Sequence, residues 1–514
     1  MTVGIAAADD GFTGPLRRAR RGPPATRGPQ TLSETDRSRL STGVPRLDDV
    51  LRGGLPGRHV YLVQGGPGTG KTTMALQFLL EGVARGEPGL FVTLSQTAYE
   101  LETIARAHGW DLDGIEIIEL HAEAVAEDEQ TVFYPIDVRL DATREAMLRA
   151  LDEHAPRRMV YDSLVEVRQL SRDEYRFQRE LLSLKRLLHE RGVAAYFVDL
   201  PSSGQADIEV ESVAHGIVSL DKSLPLYGRA RRRIEVAKMR GVAFYDGYHD
   251  MDIEQGAGVV VFPRVVPTLE PDETGGDLIR SSVDELDDML GGGMEPGTTT
   301  LIIGQAGTGK STLSSLYAYA ALERGEKVAM FLFEERPETF FRRSEGLGLP
   351  LRPYAESGRL ILHDFNPAEI SHGQFNQMAL DAVAGEEGIS VALIDSFTGY
   401  INGLPEPQEA VAQIQRLMKY LARRNVLCLL VVAQHGLLGQ DMDTPIDVSF
   451  LGDTVVLLRM YEWAATIRRT IAVVKKRHGP HDLDIRQLAI EPGGIRISEF
   501  STPPPGPPTT REAG

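Results

Sequence analysis

The sequence is short of cysteine, of long apolar runs and of positive charge. Its single cysteine, Cys428, excludes an intramolecular disulfide. That residue lies in the apolar run Val426 to Val432, which predicts a buried thiol and fits a reducing, cytoplasmic compartment. No stretch resembles the roughly 18 apolar residues that a membrane helix needs. Lysine and arginine number 55 against 73 acids, a net charge of −18. A chain this acidic repels a phosphate backbone unless its basic groups are segregated, which argues against a nucleic-acid partner. Hydrophobic and charged contents of 42% and 25% are otherwise those of a globular protein.

Both ends are poor in core-forming residues. Residues 1–36 read as a disordered basic tail, with Arg17, Arg18, Arg20, Arg21 and Arg27 set among Pro and Gly. No apolar segment follows those arginines, so they do not read as an export signal. Residues 501–514 hold Pro503, Pro504, Pro505, Pro507 and Pro508 and read as a Pro-rich tail.

What the chain does have, it has twice. Gly65-Gly66-Pro67-Gly68-Thr69-Gly70-Lys71-Thr72 and Gly304-Gln305-Ala306-Gly307-Thr308-Gly309-Lys310-Ser311 both fit G-x-x-x-x-G-K-[ST], the P-loop. Strand-like runs precede them, Val60 to Val63 and Leu301 to Ile303, and helix-compatible segments follow. Glycines let backbone amides wrap an anion, and the helix adds the positive end of its dipole. The predicted ATP cradles are Gly65, Gly66, Gly68, Thr69, Gly70, Lys71, Thr72 and Thr73, and Gly304, Gly307, Thr308, Gly309, Lys310, Ser311 and Thr312. Lys71 and Lys310 would reach the β/γ-phosphates, with Thr72 and Ser311 offering hydroxyls to Mg²⁺.

The repeat extends beyond the loops. Lys310 and Lys71 differ by 239 in number, and so do Leu286 and Leu47 in the lead-ins Ser282–Leu290 and Ser41–Leu51. A duplicated domain explains the agreement. The expected boundaries are 37–263 and 279–500, joined by a linker over 264–278 with Pro267, Pro271, Gly275 and Gly276. Within each unit strand-like and helical segments alternate, which predicts an α/β fold with mostly parallel sheets flanked by helices.

Three further elements bear on chemistry. Met159-Val160-Tyr161-Asp162-Ser163 and Val391-Ala392-Leu393-Ile394-Asp395-Ser396 each end an apolar run on a carboxylate, so Asp162 and Asp395 are the expected Mg²⁺ residues. Glu334-Glu335 follows the strand-like Ala329 to Phe333 and offers a base for the attacking water. The matching place, 239 residues earlier, holds Ser95-Gln96, which cannot act as a carboxylate. The first site is therefore expected to bind nucleotide and turn over slowly. Late in each unit come Lys238-Met239-Arg240 and Lys475-Lys476-Arg477. With a side-chain period of two, Lys238 with Arg240, and Lys475 with Arg477, share one face. They suit a γ-phosphate presented by a neighbouring subunit.

These residues together resemble the KaiC family, whose members carry two RecA-like P-loop domains in tandem. The resemblance covers about residues 38–500. It implies ATP held between subunits of a homo-hexamer of two stacked rings, Mg²⁺-dependent ATPase activity, and autophosphorylation of the second domain. Clock members use partners named KaiA and KaiB. Where the family carries adjacent Ser-Thr phosphoacceptors this chain has Ser449-Phe450, which leaves a single acceptor, Ser449, and no two-site cycle. The short Pro-rich tail gives no support for a KaiA-type contact. Two other readings stand beside a KaiC-like ATPase. One is a DNA-dependent RecA-like motor, disfavoured by the charge. The other is a nucleotide-gated scaffold read by a KaiB-like protein or a histidine kinase.

Overall fold

The computed structural model describes residues 39–120, 136–171, 174–201, 210–225, 228–265, 275–384, 389–402, 407–434, 450–463 and 465–500. Both predicted tails, part of the linker and Ser449 lie outside them.

Each half of the chain builds a nine-stranded sheet. In the first the order is Ile115–Glu119, Gly89–Thr93, Arg158–Asp162, Ala194–Asp199, Val60–Gly65, Gly216–Ser223, Arg231–Met239, Tyr248–Glu254 and Gly258–Phe262. The second repeats it as Leu360–Asp364, Lys327–Leu332, Ile389–Asp395, Leu427–Ala433, Thr299–Gly304, Thr454–Trp463, Thr466–Lys476, Arg486–Glu491 and Gly494–Ser498. The first six strands of each list pair in parallel. The last three extend the sheet as an antiparallel meander. The alternation of strands and helices predicted the parallel part. The meander follows from short connections, since hairpins join antiparallel strands and cannot join parallel ones.

Parallel strands covered on both faces read as unbroken apolar runs. Val60 and Leu62 face one layer of the first domain while Tyr61 and Val63 face the other. Leu301 and Ile302 divide in the same way in the second. Cys428 lies in such a run at 1% exposure, and burial pushes its thiol well up from the ordinary range. The stretches 180–188 and 414–421, whose apolar residues recur at helical spacing, fall inside the helices Glu174–Glu190 and Pro407–Ala422. No helix among the described residues is long and apolar enough to cross a membrane.

The two domains touch through the helix His372–Ala384, which packs on the meander of the first. Gly373 N–H donates to Asp250 Oδ2 at 2.6 Å, and Arg46 pairs with Asp381 at 2.6 Å. The P-loops lie where the strands Val60–Gly65 and Thr299–Gly304 end, near the middle of their sheets. Ligands of open α/β sheets bind at such carboxyl ends.

Candidate active site

Each P-loop turns into its helix through a glycine with positive φ, 104° at Gly70 and 105° at Gly309. A side chain is excluded there twice over. The backbone is left-handed, and a Cβ would come within 3.0 Å of Ile253 Cδ1 at Gly70 and 2.7 Å of Ile490 Cδ1 at Gly309. The loop is cross-braced by threonine: Thr69 Oγ1 donates to Gly66 O at 2.9 Å, and Thr308 Oγ1 to Gln305 O at 2.8 Å.

The lysines fold over these loops. Lys71 Nζ donates to Gly65 O at 2.5 Å and Gly66 O at 3.0 Å, and Lys310 Nζ to Gln305 O at 2.8 Å. Burial lowers the pKa of both ammonium groups. Asp162 and Asp199 oppose that shift at Lys71, as do Asp395 and Glu334 at Lys310.

Asp162 and Asp395 stand at the ends of Arg158–Asp162 and Ile389–Asp395, each separated from the P-loop strand by one intervening strand. They are only 5% and 9% exposed. Burial pushes the Asp162 carboxyl up to about 6, with Lys71 pulling it back; burial likewise raises Asp395, with a hydrogen bond from Ser311 opposing. Thr72 Oγ1 donates to Asp162 Oδ2 at 3.5 Å. Each domain thus brings a hydroxyl and a carboxylate together beside a lysine. Such hard oxygen donors suit Mg²⁺, which keeps most of its water and takes phosphate oxygens. The described residues hold no cluster of three or more His, Cys, Asp or Glu that could hold a metal ion.

The carboxylate pair of the second domain divides. Glu334 Oε1 accepts from Ser396 Oγ at 2.5 Å, which holds it beside Asp395. Glu335 forks with Arg343, the closest approach being 2.9 Å. Ser95, at the place of Glu334, is exposed, while Gln96 N–H bonds Thr93 Oγ1 at 2.9 Å.

The late cations do not reach their own P-loops. Lys238 Nζ donates to Glu211 O and Arg240 Nη2 to Ser212 O at 2.9 Å. Lys475 Nζ donates to Gly452 O at 2.7 Å, and Arg477 pairs with Asp453 at 3.1 Å. Lys476, between them, points inward and pairs with Glu295 at 3.1 Å, as strand alternation requires. Different arginines meet each loop within the chain. Arg232 Nε lies 3.4 Å from Gly68 O, and Arg469 Nε lies 3.0 Å from Gly307 O. Sequence reasoning missed both, although 469 − 232 is 237, the spacing of the Lys238 and Lys475 motifs. It also missed Arg168, paired with Asp199 at 2.9 Å, and the acid Glu166.

The family model described as "ATPase: KaiC" matches twice, over residues 40–266 and 279–501. Among curated proteins the chain is similar to a circadian clock protein KaiC3 of Synechocystis, 28% identical over 91% of this chain and 93% of that protein. It is also similar to a circadian clock oscillator protein KaiC of Parathermosynechococcus lividus, 27% identical over 89% of this chain and 85% of that protein.

Proposed function

This chain belongs to the KaiC family of ATPases, and from that premise we propose that it is a Mg²⁺-dependent ATP hydrolase. It would assemble as a homo-hexamer and act as a nucleotide-gated ring in clock-like or signalling regulation, read by a KaiB-like protein or a histidine kinase. The observation that carries the reading is the second-domain cluster in which Asp395 and Glu334 both act electrostatically on Lys310 while Ser396 Oγ donates to Glu334.

In this reading the P-loop amides and Lys310 bind the phosphates. Ser311 and Asp395 would hold Mg²⁺, which supplies neutralisation of charge on the β- and γ-oxygens. Glu334, fixed by Ser396, orients the attacking water and receives its proton; Arg343 sets the place of Glu335. Lys475 and Arg477, engaged away from their own P-loop, would reach the γ-phosphate of a neighbouring subunit. Thr72 and Asp162 would hold Mg²⁺ in the first domain, with Lys238 and Arg240 reaching across in the same way.

The test is phosphate release by the full chain with and without Mg²⁺, set beside Glu334→Gln and Glu335→Gln. Turnover that needs Mg²⁺ and falls in Glu334→Gln is expected; undiminished turnover in both variants would refute the assignment. Phosphopeptide mapping after incubation with ATP reads whether Ser449 also takes a γ-phosphate, which would add serine autokinase activity.

A further inference from the structure

We infer that the first domain does not lack a water-orienting carboxylate but draws it from another element: Glu166, on the helix that follows Asp162, takes the place Glu334 holds in the second domain. The inference rests on the hydrolase reading and goes beyond it, since the first domain then becomes a second hydrolytic site.

The equivalence is fixed by backbone register. Leu94 N–H donates to Asp162 O at 2.8 Å, and Phe333 N–H donates to Asp395 O at 2.8 Å. The next residues, Ser95 and Glu334, therefore occupy matching positions, as do Ser163 and Ser396. In the second domain Ser396 Oγ donates to Glu334 Oε1 at 2.5 Å. In the first, Ser163 Oγ donates to Glu166 Oε2 at 2.6 Å. The same serine thus holds a carboxylate in both domains, although the acid comes from a different part of the chain.

The reciprocal position explains how. Glu166 lies three residues after Ser163, and Gly399 lies three after Ser396. A Cβ on Gly399 would stand 2.9 Å from Glu334 Oε1 and 3.0 Å from its Cγ. A side chain rising from that helical position runs into the space Glu334 fills. The second domain has glycine there and its acid at the strand end; the first has serine at the strand end and its acid on the helix. Both acids also face the buried aspartate, and each helps to raise it: Glu166 acts on Asp162, and Glu334 on Asp395.

In the reaction the water oxygen bonds to the γ-phosphorus as the bond to the β–γ bridging oxygen breaks. ADP departs with that electron pair, and the water proton passes to the Glu166 carboxylate. An acid in the first turn of Leu164–Ser171 also favours the helix electrostatically. That role alone would move stability and leave turnover untouched. Glutamine at 166 keeps an acceptor for Ser163 and removes the base.

The experiment uses the full chain with the second domain silenced as E334Q/E335Q. Phosphate release should persist in this variant. Adding E166Q should cut it about 100-fold, with ATP still bound and the thermal midpoint little changed. Replacing E166Q by the pair S95E/E166G, which rebuilds the second-domain arrangement, should restore it. Undiminished release with E166Q would overturn the inference. So would wild-type turnover that vanishes wholly in E334Q/E335Q, and in that case the hydrolase reading survives. A wild-type protein without turnover would overturn both.

Discussion

The two domains share every strand of their sheets, yet they exchange side chains across the same gaps. The acid against the Asp–Ser strand end is one case. A second lies beneath the P-loop helix. In the first domain Arg158 is fully buried, donating to Ser41 O at 2.7 Å and pairing with Glu87 at 2.8 Å. It fits because Gly82 leaves room, where a Cβ would meet Arg158 Cδ at 2.6 Å. In the second domain the matching residues are Val391 and Ala321, and the same anchors are met from outside. There Arg324 donates to Arg280 O at 3.1 Å and pairs with Glu326 at 2.7 Å. In both cases the partners of a charge are kept while the residue supplying it moves. Comparing the repeats position by position reports such a group as lost.

The largest effect that could break this comparison concerns the late cations. Arg477→Ala should lower second-domain turnover about 1,000-fold if the guanidinium acts on a neighbour's γ-phosphate. Mixing Arg477→Ala subunits with Lys310→Ala subunits should then recover part of the phosphate release, because hybrid interfaces contain one intact site. Absence of recovery would place the arginine's effect within its own subunit.

The arginine exchange predicts an asymmetry in stability. Arg158→Ala removes a buried partner from Glu87 and should cost about 3–5 kcal/mol by urea denaturation. Arg324→Ala, at the surface, should cost less than about 1 kcal/mol. Equal losses would show that the two arrangements are not alternative solutions to one constraint.

Asp162 gives a smaller effect with a defined sign. Its carboxyl is raised to about 6 by burial, so the folded chain holds a proton that the unfolded chain releases nearer the ordinary value. The stability from this group is therefore fully present at low pH and is lost as pH rises through about 6. In nucleotide- and Mg²⁺-free protein, Asp162→Asn should gain on the wild type by on the order of 2 kcal/mol between pH 4 and pH 7. A gap that does not change with pH would contradict the burial of this charge.

The smallest effect sharpens the exchange itself. Gly399→Ala places a methyl 2.9 Å from Glu334 Oε1 and should lower second-domain phosphate release about 10-fold by displacing that carboxylate. Glu166→Gly, the opposite change, creates no such contact and should act on the first domain alone.

Much of this architecture was legible in the sequence. The two P-loops, the Asp–Ser strand ends and the common spacing of 239 located both cradles, because glycine, lysine and β-branched runs report local backbone needs. The antiparallel meander was less legible, since strands such as Tyr248–Glu254 and Arg486–Glu491 mix polar and apolar residues. Glu166 escaped although its contact with Ser163 spans only three residues, because a search for agreement between repeats passes over a compensating difference. Arg158 escaped for a similar reason: a charge opening an apolar strand reads as a surface residue until Gly82 is found opposite it. The division of Glu334 from Glu335 depends on Arg343, which no spacing rule joins to the site.

The most direct test is a structure of the full chain with Mg²⁺ and a non-hydrolysable ATP analogue in both domains. The in-line water at the γ-phosphate should contact Glu334 in the second domain and Glu166 in the first. A first-domain water held by any other group, with the Glu166 carboxylate turned away, would contradict the exchange.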